Sequence, residues 1–188
     1  MLRCDSRWRL ALTATIYRFG IDLADADRHV YESLAFQVAR HPSESEARLV
    51  ARVLAYALEF TDGIAFSRGL SDPEEPSIAV RDLTGVMRAW IDVGMPDATR
   101  LHKAGKAAPR VAVYTHHDPA QLVGRLAGER IYRAEAIELY AIHRSFIAAV
   151  VARLDRRMEF ALSVADRELY LSLGTETLTG AVVRHAVA

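Results

Sequence analysis

Asp92 is the residue of this sequence whose type and surroundings first suggest chemistry. It interrupts an apolar run, with Ala89-Trp90-Ile91 before it and Val93-Gly94-Met95 after it. A carboxylate in such a run is costly unless something compensates its charge. Asp92 is therefore either a residue of a functional site or a residue on the solvent face of a half-exposed strand.

A predicted β-hairpin gives Asp92 a neighbour. If the turn 82–85 has a two-residue tip, Asp92 lies opposite Glu75 and Trp90 lies opposite Ser77, all on one face. Two facing carboxylates repel each other unless they share a proton or hold a divalent metal ion between them. A slip of two residues would instead place Ser77 beside Asp92.

The predicted helix that follows carries Arg100, Lys103 and Lys106 at intervals of three, which places them along one side. A carboxylate-held metal with a lysine close by is suited to phosphodiester hydrolysis, because the metal orients water and the lysine stabilises the charged intermediate. The alternative is an ordinary solvated helix face, with Glu75 solvated at the end of its strand.

Several segments, taken together and in order over roughly residues 10–175, resemble the YaeQ family. The segments are "TATIYR", "ARHPSESEARLVARVLAYAL", "FSRGL", "EPSIAVRDLTG", "WIDVGMPD", "RLHKAGKAAPRVAVY" and "RELYLSL". The resemblance implies a bacterial protein with a fold similar to the PD-(D/E)XK nuclease superfamily. Its core would be a helix, a three-strand meander, a second helix and a further strand.

The resemblance also implies roles for single residues. Asp92 resembles the acidic residue of the (D/E)-x-K motif, Gly94 stands where the lysine would be, and Lys103 resembles a migrated substitute. Glu44 is the candidate glutamate of the first helix. The catalytic set implied is Asp92, Lys103 and Glu44.

One departure concerns the first acidic residue of that plan. The position is Ser77 here, and serine is a poor metal ligand beside a carboxylate, so Glu75 is the candidate replacement. The metal set is then Asp92, Glu75 and Glu44, with Mg²⁺ or Mn²⁺ as the expected ion. The candidate rim residues are Ser77, Arg40, His41, Arg100 and Lys106.

The elements that would position these residues follow from periodicity. The predicted strands are 12–23, 30–41 (with a helix as the alternative), 77–82, 85–94, 110–116 and 136–142, followed by a hairpin over 158–173. The predicted helices are 43–59, 97–108 and 143–155, with an amphipathic stretch at 119–128. Ser43 is the expected cap of the first helix, with Glu46 completing a capping box. The fold class is α/β or α+β, with one mixed sheet and flanking helices.

Composition limits the function classes. Hydrophobic residues make up 51% and charged residues 26% of the 188, which is typical of a soluble globular chain. The 24 basic and 24 acidic residues cancel, so nucleic-acid binding would need a local basic patch. The single cysteine, Cys4, excludes an internal disulfide. We expect a cytoplasmic monomer without membrane association, with one domain over 10–188 and a disordered extension over 1–9.

Three functions compete. The first, which we expect from the resemblance, is a metal-dependent nuclease that hydrolyses phosphodiester bonds in DNA or RNA. The second is a non-catalytic module that uses the same groove to bind nucleic acid or a protein partner. The third is hydrolysis of a small phosphorylated molecule.

Overall fold

The structure, a computed structural model, describes residues 14–67 and 74–187. The predicted extension 1–9 and part of the loop 71–76 lie outside these residues. No helix in the described ranges is both long enough and apolar enough to cross a membrane.

Ten strands and four α-helices form in the described residues. The strands are β1 Thr15–Asp25, β2 Val30–Arg40, β3 Ile64–Phe66, β4 Ile78–Arg81, β5 Met87–Val93, β6 Arg110–Thr115, β7 Glu138–Ile142, β8 Arg157–Ala165, β9 Glu168–Leu173 and β10 Glu176–His185. The helices are α1 Glu46–Leu58, α2 Ala98–Ala107, α3 Pro119–Leu126 and α4 Arg144–Val151. A short 3₁₀ turn, Ala134–Ala136, precedes β7.

All ten strands belong to one mixed sheet in the order β2-β1-β8-β9-β10-β7-β6-β5-β4-β3. The sheet curves until its two outermost strands approach each other. Phe36 of β2 and Phe66 of β3 have ring centroids 5.4 Å apart. Tyr56 of α1 contacts both rings, at 4.7 Å and 4.4 Å. The sheet is therefore a nearly closed barrel, and α1 lies against its inner surface.

The expected PD-(D/E)XK-like core, a sheet with helices on its flanks, is wrong as a description of this fold. The ten strands wrap into a nearly closed barrel, with α1 packed against β1, β3, β5, β6 and α4 inside the curve. A sheet curves this far when its twist accumulates over many strands. The coarser expectation, α+β with one mixed sheet, agrees with the structure.

Alternation along the strands divides the buried side chains between two layers. Ile91 and Val93 face the inner core with Leu49 and Leu54 of α1. Trp90 faces the outer core, where Leu101 of α2 and the apolar side of α3 cover the sheet. Since side chains two apart on a strand share a face, Asp92 points to the same side as Trp90, toward α2.

The β4–β5 hairpin does not have the predicted register. Ile78 pairs with Ile91 and Ala79 with Trp90, and a β-bulge follows between Val80 and Arg81. The irregular turn shifts the pairing of the two strands by two residues from the predicted register. Ser77, rather than Glu75, therefore lies beside Asp92. The two-residue slip considered above is the one that occurs.

Most other predicted elements are confirmed, with shifted ends. Strand β2 settles the choice at 30–41 in favour of a strand, and the β8–β9 hairpin turns at Asp166 and Arg167. The cap of α1 is Ser45, whose hydroxyl accepts a hydrogen bond from the Arg48 amide, and not Ser43. Strands β3 and β10 were not predicted.

Candidate functional site

Asp92 is clamped by an arginine and a tryptophan. Its side chain lies on β5 and the residue is only 2% exposed. Arg100 of α2 donates from Nε to Oδ2 at 2.7 Å and from Nη2 to Oδ1 at 2.7 Å. The Trp90 indole N–H donates to Oδ2 at 2.8 Å. This charged, two-pronged pair supplies the compensation that a carboxylate in an apolar strand needs.

Ser77 completes the surroundings of this carboxylate. Its backbone amide lies 3.2 Å and its hydroxyl 3.4 Å from Oδ1 of Asp92. Glu75 contributes its backbone carbonyl, which accepts from Nη2 of Arg100 at 2.7 Å. The Arg100 guanidinium also lies over the Trp90 ring, 5.5 Å from its centroid. Arg100 is therefore fixed from several directions.

Glu44, just before α1, is the second buried carboxylate. Its Oε1 accepts from Nη1 of Arg48 and its Oε2 from Nη2 of Arg52, both at 2.9 Å. Arg52 is 2% exposed and also donates to the Ala39 carbonyl at 2.8 Å. Burial lowers the pKa of Arg52, while the Glu44 charge opposes that shift.

Arg48 joins the two carboxylates into one network. Its Nη2 donates to the Ser77 hydroxyl at 3.3 Å, while Nη1 holds Glu44. The continuous series Glu44, Arg48, Ser77, Asp92 and Arg100 is called the arginine–carboxylate chain below. It connects the first turn of α1 to β5 and α2.

The arginine–carboxylate chain lies where three parallel strands end. Strands β5 and β6 are parallel, as are β6 and β7, so their carboxyl ends share one edge. Gly94 follows β5, His116 follows β6, and Arg144 follows β7 at the start of α4. The carboxyl edge of parallel strands is the usual place for ligand sites in such sheets.

We define the basic edge as Arg48, His116, His117 and Arg144. Burial, together with the nearby charges of His117, Arg48 and Arg144, lowers the pKa of His116 to about 4, so its ring is neutral at pH 7. The Nδ1 atom of His116 is buried and has no hydrogen-bond partner among the described residues. Helix α4 begins beside it without a side-chain cap.

The remaining predicted site residues lie around this network. Lys103 forms an ion pair with Glu74 on the surface, and Lys106 is exposed in the last turn of α2. Arg40 pairs with Glu46 at 3.2 Å, and Nδ1 of His41 lies 2.6 Å from the Ser43 hydroxyl. The structure thus brings Glu44, Ser77, Asp92 and Arg100 together. Neither Lys103 nor Lys106 has a described contact with the arginine–carboxylate chain.

The donor set present does not fit the expected Mg²⁺ or Mn²⁺. Each oxygen of Asp92 and of Glu44 already accepts a hydrogen bond from a cationic or N–H donor. Within residues 14–67 and 74–187, no group of three His, Cys, Asp or Glu side chains is arranged to hold a metal ion. A divalent ion would also meet the positive charges of Arg48 and Arg100 at these carboxylates.

The sequence analysis missed Arg48, Arg52 and His116. The Glu44–Arg48 pair had a readable signal, because an acid and an arginine four residues apart at the start of a helix are neighbours on its surface. Arg52, one further turn along, follows the same face. His116 had no such signal, since its burial depends on which strand ends meet at the edge.

Comparisons with known proteins agree with one family. The family model described as "YaeQ protein" matches residues 10–182. The "Uncharacterized protein YaeQ" of Escherichia coli (strain K12) is 30% identical over 164 residues, covering 87% of this chain and 91% of the relative. The Salmonella typhi protein of that description shows the same identity and coverage.

Two crystal structures share the fold. The YaeQ protein from Xanthomonas axonopodis pv. citri is 30% identical, with a TM-score of 0.83 covering 92% of this chain and 98% of that one. The YaeQ protein from Pseudomonas syringae is 27% identical, with a TM-score of 0.81 covering 91% and 95%. This chain therefore belongs to the YaeQ family, whose members named here are bacterial.

Proposed function

We propose that this member of the YaeQ family is a non-catalytic binding module that holds phosphate groups of nucleic acid at its basic edge. The observation that carries the proposal is the pairing of both candidate carboxylates with arginine. Asp92 is clamped by Arg100, and Glu44 is held between Arg48 and Arg52. Carboxylates engaged in this way stabilise and orient arginines and are poorly placed to hold a metal.

The charge balance at the site favours an anion. Three arginines, at positions 48, 52 and 100, pair with the two buried carboxylates of this site, and Arg144 adds a positive charge near His116, which is neutral at pH 7. Arginine matches phosphate because its planar fork can donate two hydrogen bonds to two oxygens. The net charge of the whole chain is zero, so the attraction is local to this edge.

The start of α4 supports the same ligand class. His143 occupies the cap position without a side-chain hydrogen bond, and Arg144 is exposed in the first turn. Backbone N–H groups at a helix start attract phosphate, and a neighbouring arginine strengthens that attraction. Arg144 thus stands where it can meet a phosphate without disturbing the arginine–carboxylate chain.

Metal-dependent phosphodiester hydrolysis is the second candidate. It is favoured by one observation, that Glu44 and Asp92 belong to a single hydrogen-bonded chain through Arg48 and Ser77. To serve it, Arg48 and Arg100 would have to leave the carboxylates so that a metal could replace them. Binding needs no such rearrangement, and for that reason we prefer it.

The test measures binding and cleavage in the same samples. Labelled single- and double-stranded DNA and RNA are titrated by fluorescence anisotropy in Mg²⁺, in Mn²⁺ and in EDTA, and each sample is then run on a denaturing gel. We expect salt-dependent binding that does not require a divalent ion, with intact oligonucleotides in all three conditions. In Arg144→Gln, affinity should fall about threefold to tenfold. The slope of the logarithm of affinity against the logarithm of salt concentration should decrease in magnitude by about 1.

Arg125→Gln is the matched control, because Arg125 is also exposed on a short helix but lies in the last turn of α3. It should bind as the parent does. Binding that requires metal, or cutting that is lost in Asp92→Asn, would favour the hydrolytic candidate instead. Equal losses in Arg144→Gln and Arg125→Gln would remove the assignment to the basic edge.

A further inference from the structure

A cavity of about 200 Å³ lies on the inner side of the curved sheet, beside the C-terminal end of α1. Leu58, Val164 and Val182 form its apolar wall. It lies away from the basic edge, since Glu59 and Arg48 are separated by roughly 17 Å along α1 at a rise of about 1.5 Å per residue. Its volume suits a small molecule rather than a polymer.

Three acidic side chains line this cavity, and two of them, Glu59 and Asp25, are matched by cationic partners. Glu59 accepts from Nη1 and Nη2 of Arg110 at 2.6 Å and 2.9 Å, and from the Tyr114 hydroxyl at 2.8 Å. Asp25 is 1% exposed and forms an ion pair with Arg28 at 3.2 Å. The third, Asp27, accepts hydrogen bonds from two backbone amides and has no ion pair among the described residues.

Two of the three arginines at the cavity are engaged as well. Arg110 holds Glu59 and Glu138, and this pairing raises the pKa of its guanidinium. Arg28 pairs with Asp25 and donates to the carbonyls of Leu58 and Phe60. Arg28 and Arg110 therefore stabilise the walls of the cavity through these contacts.

Arg167 differs from the other lining charges. Its guanidinium has no ion pair or hydrogen bond among residues 14–67 and 74–187, and the residue is exposed. Three arginines and three carboxylates line the cavity, and Arg167 is the one charged side chain of this lining that has no hydrogen-bond partner among the described residues. An unpaired guanidinium that lines a partly apolar cavity favours an anionic ligand.

The backbone holds Arg167 in a defined place. Its φ is +63°, and that of Asp166 is +52°, a conformation that side chains other than glycine adopt at a cost. The Asp27 carboxylate fixes this turn by accepting from the amides of Asp166 and Arg167, each at 2.8 Å. The β1–β2 and β8–β9 turns are therefore tied together where Arg167 lines the cavity.

Two tyrosines, Tyr114 and Tyr140, also line the cavity. The rings of Tyr114 and Tyr140 stack with centroids 5.0 Å apart and planes 23° from parallel. Burial raises the pKa of both phenols, so neither carries charge at pH 7. A planar ligand body would meet an uncharged surface here.

We propose that this cavity binds a small planar organic anion. Its carboxylate or phosphate group would pair with the Arg167 guanidinium, and its ring would lie against Tyr140, Val164 and Val182. The inference is independent of nucleic-acid binding, since it uses different residues at a separate place in the barrel.

The experiment uses three probes of one ring size: benzoate, phenyl phosphate and the neutral benzamide. Binding is measured by ¹H–¹⁵N NMR titration of the full chain, and the shifted amides are mapped. We expect saturable binding of at least one anion, with benzamide at least tenfold weaker and the shifts centred on Arg167 and Tyr140. The stronger of the two anions identifies the carboxylate or the phosphate as the group recognised.

Arg167→Gln tests the charge without altering the backbone requirement, because glutamine meets the same cost at positive φ. It should weaken the preferred anion about tenfold, whereas Arg156→Gln, at an exposed arginine outside the cavity, should not. Val164→Met, which narrows the cavity and keeps Arg167, should weaken all three probes. The inference fails if no anion saturates, if benzamide binds as well as benzoate, or if Arg167→Gln leaves affinity unchanged.

Discussion

Arg100 donates two hydrogen bonds to Asp92, from Nε and Nη2, and each nitrogen lies 2.7 Å from a different carboxylate oxygen. Asp92 is 2% exposed, whereas the Arg100 side chain is 24% exposed. Asp92, the inner member of the pair, therefore depends on Arg100 to compensate its buried charge. Arg100, the outer member, is in part accessible to water. The consequences of removing each are unequal.

Arg100→Met should destabilise the fold by about 3–5 kcal/mol, because it leaves a buried carboxylate without its counter-charge. Asp92→Asn should cost less, about 1–3 kcal/mol, since the exposed part of Arg100 can be hydrated. Urea denaturation at pH 7 gives both free energies of unfolding. The double variant Asp92→Leu/Arg100→Met should recover part of the loss, because it removes both charges together.

Arg88→Met is the control for this pair. Arg88 also bonds an aspartate, Asp82, but its side chain is 61% exposed. Pairs of this kind contribute little, so its unfolding curve should match the parent's within error. A larger loss in Asp92→Asn than in Arg100→Met would contradict the assignment of inner and outer members.

Divalent cations should leave the melting temperature unchanged. A ligand that binds only the folded state raises stability, so a working site at Asp92 and Glu44 would show itself as a rise in Tm with millimolar Mg²⁺ or Mn²⁺. Both carboxylates are engaged by arginine, and we expect coincident melting curves in metal and in EDTA. A rise in Tm that disappears in Asp92→Asn would reinstate the metal hypothesis.

The sequence predicted most elements because their periodicity is local. Alternation located β8 and β9, and the apolar stripe located α1. Strand β10 was not predicted because Gly180 interrupts the apolar alternation between Leu178 and Val182, and β3 was not predicted because it is only three residues long. The closure of the barrel has no local signature, since it depends on the contact of Phe36 with Phe66 across the whole strand order.

The candidate site was predictable only in part for the same reason. Asp92 was identified by its type and context and Glu44 by the family resemblance, and both lie in the arginine–carboxylate chain. Their partners follow from the angle at which α2 and α1 cross the sheet, which spacing alone does not determine. The β-bulge after Val80 shifted the hairpin register and so replaced Glu75 with Ser77 beside Asp92.

Gly94→Lys should not restore the lysine of the (D/E)-x-K motif that the sequence analysis considered at this position. Gly94 has a φ of +104°, which side chains rarely adopt, while an added Cβ would meet only Arg48 Nε, at 3.7 Å. The cost is thus in the backbone conformation. Gly94→Lys and Gly94→Ala should both lower the free energy of unfolding by about 1–3 kcal/mol.

Gly124→Ala provides the comparison for these glycine variants. Gly124 lies in α3 with no atom within 4 Å of an added Cβ, and no positive φ is recorded there. It should be neutral or slightly stabilising, because alanine favours helix. Urea denaturation measures all three variants. Equal stability of Gly94→Ala and the parent would show that the turn after β5 relaxes without strain.

His116 should make the fold less stable as the pH falls from about 6.5 to about 4. Burial, with the charges of His117, Arg48 and Arg144, lowers its pKa to about 4 in the folded chain, below the value of an exposed histidine. Over this interval the unfolded chain takes up a proton that the folded chain refuses. Stability is therefore fully present above pH 6.5, and the loss is complete below pH 4.

The loss attributable to this ring should be about 1–3 kcal/mol, and His116→Gln should remove it. Urea denaturation at pH 7.5, 5.5 and 4.5 gives the slope for each variant. His185→Gln, at a half-buried histidine at the end of β10, should keep the parent's slope. If His116→Gln also keeps the parent's pH slope, the His116 ring is protonated as readily in the folded chain as in the unfolded one. The assignment of a neutral His116 in the basic edge would then be wrong.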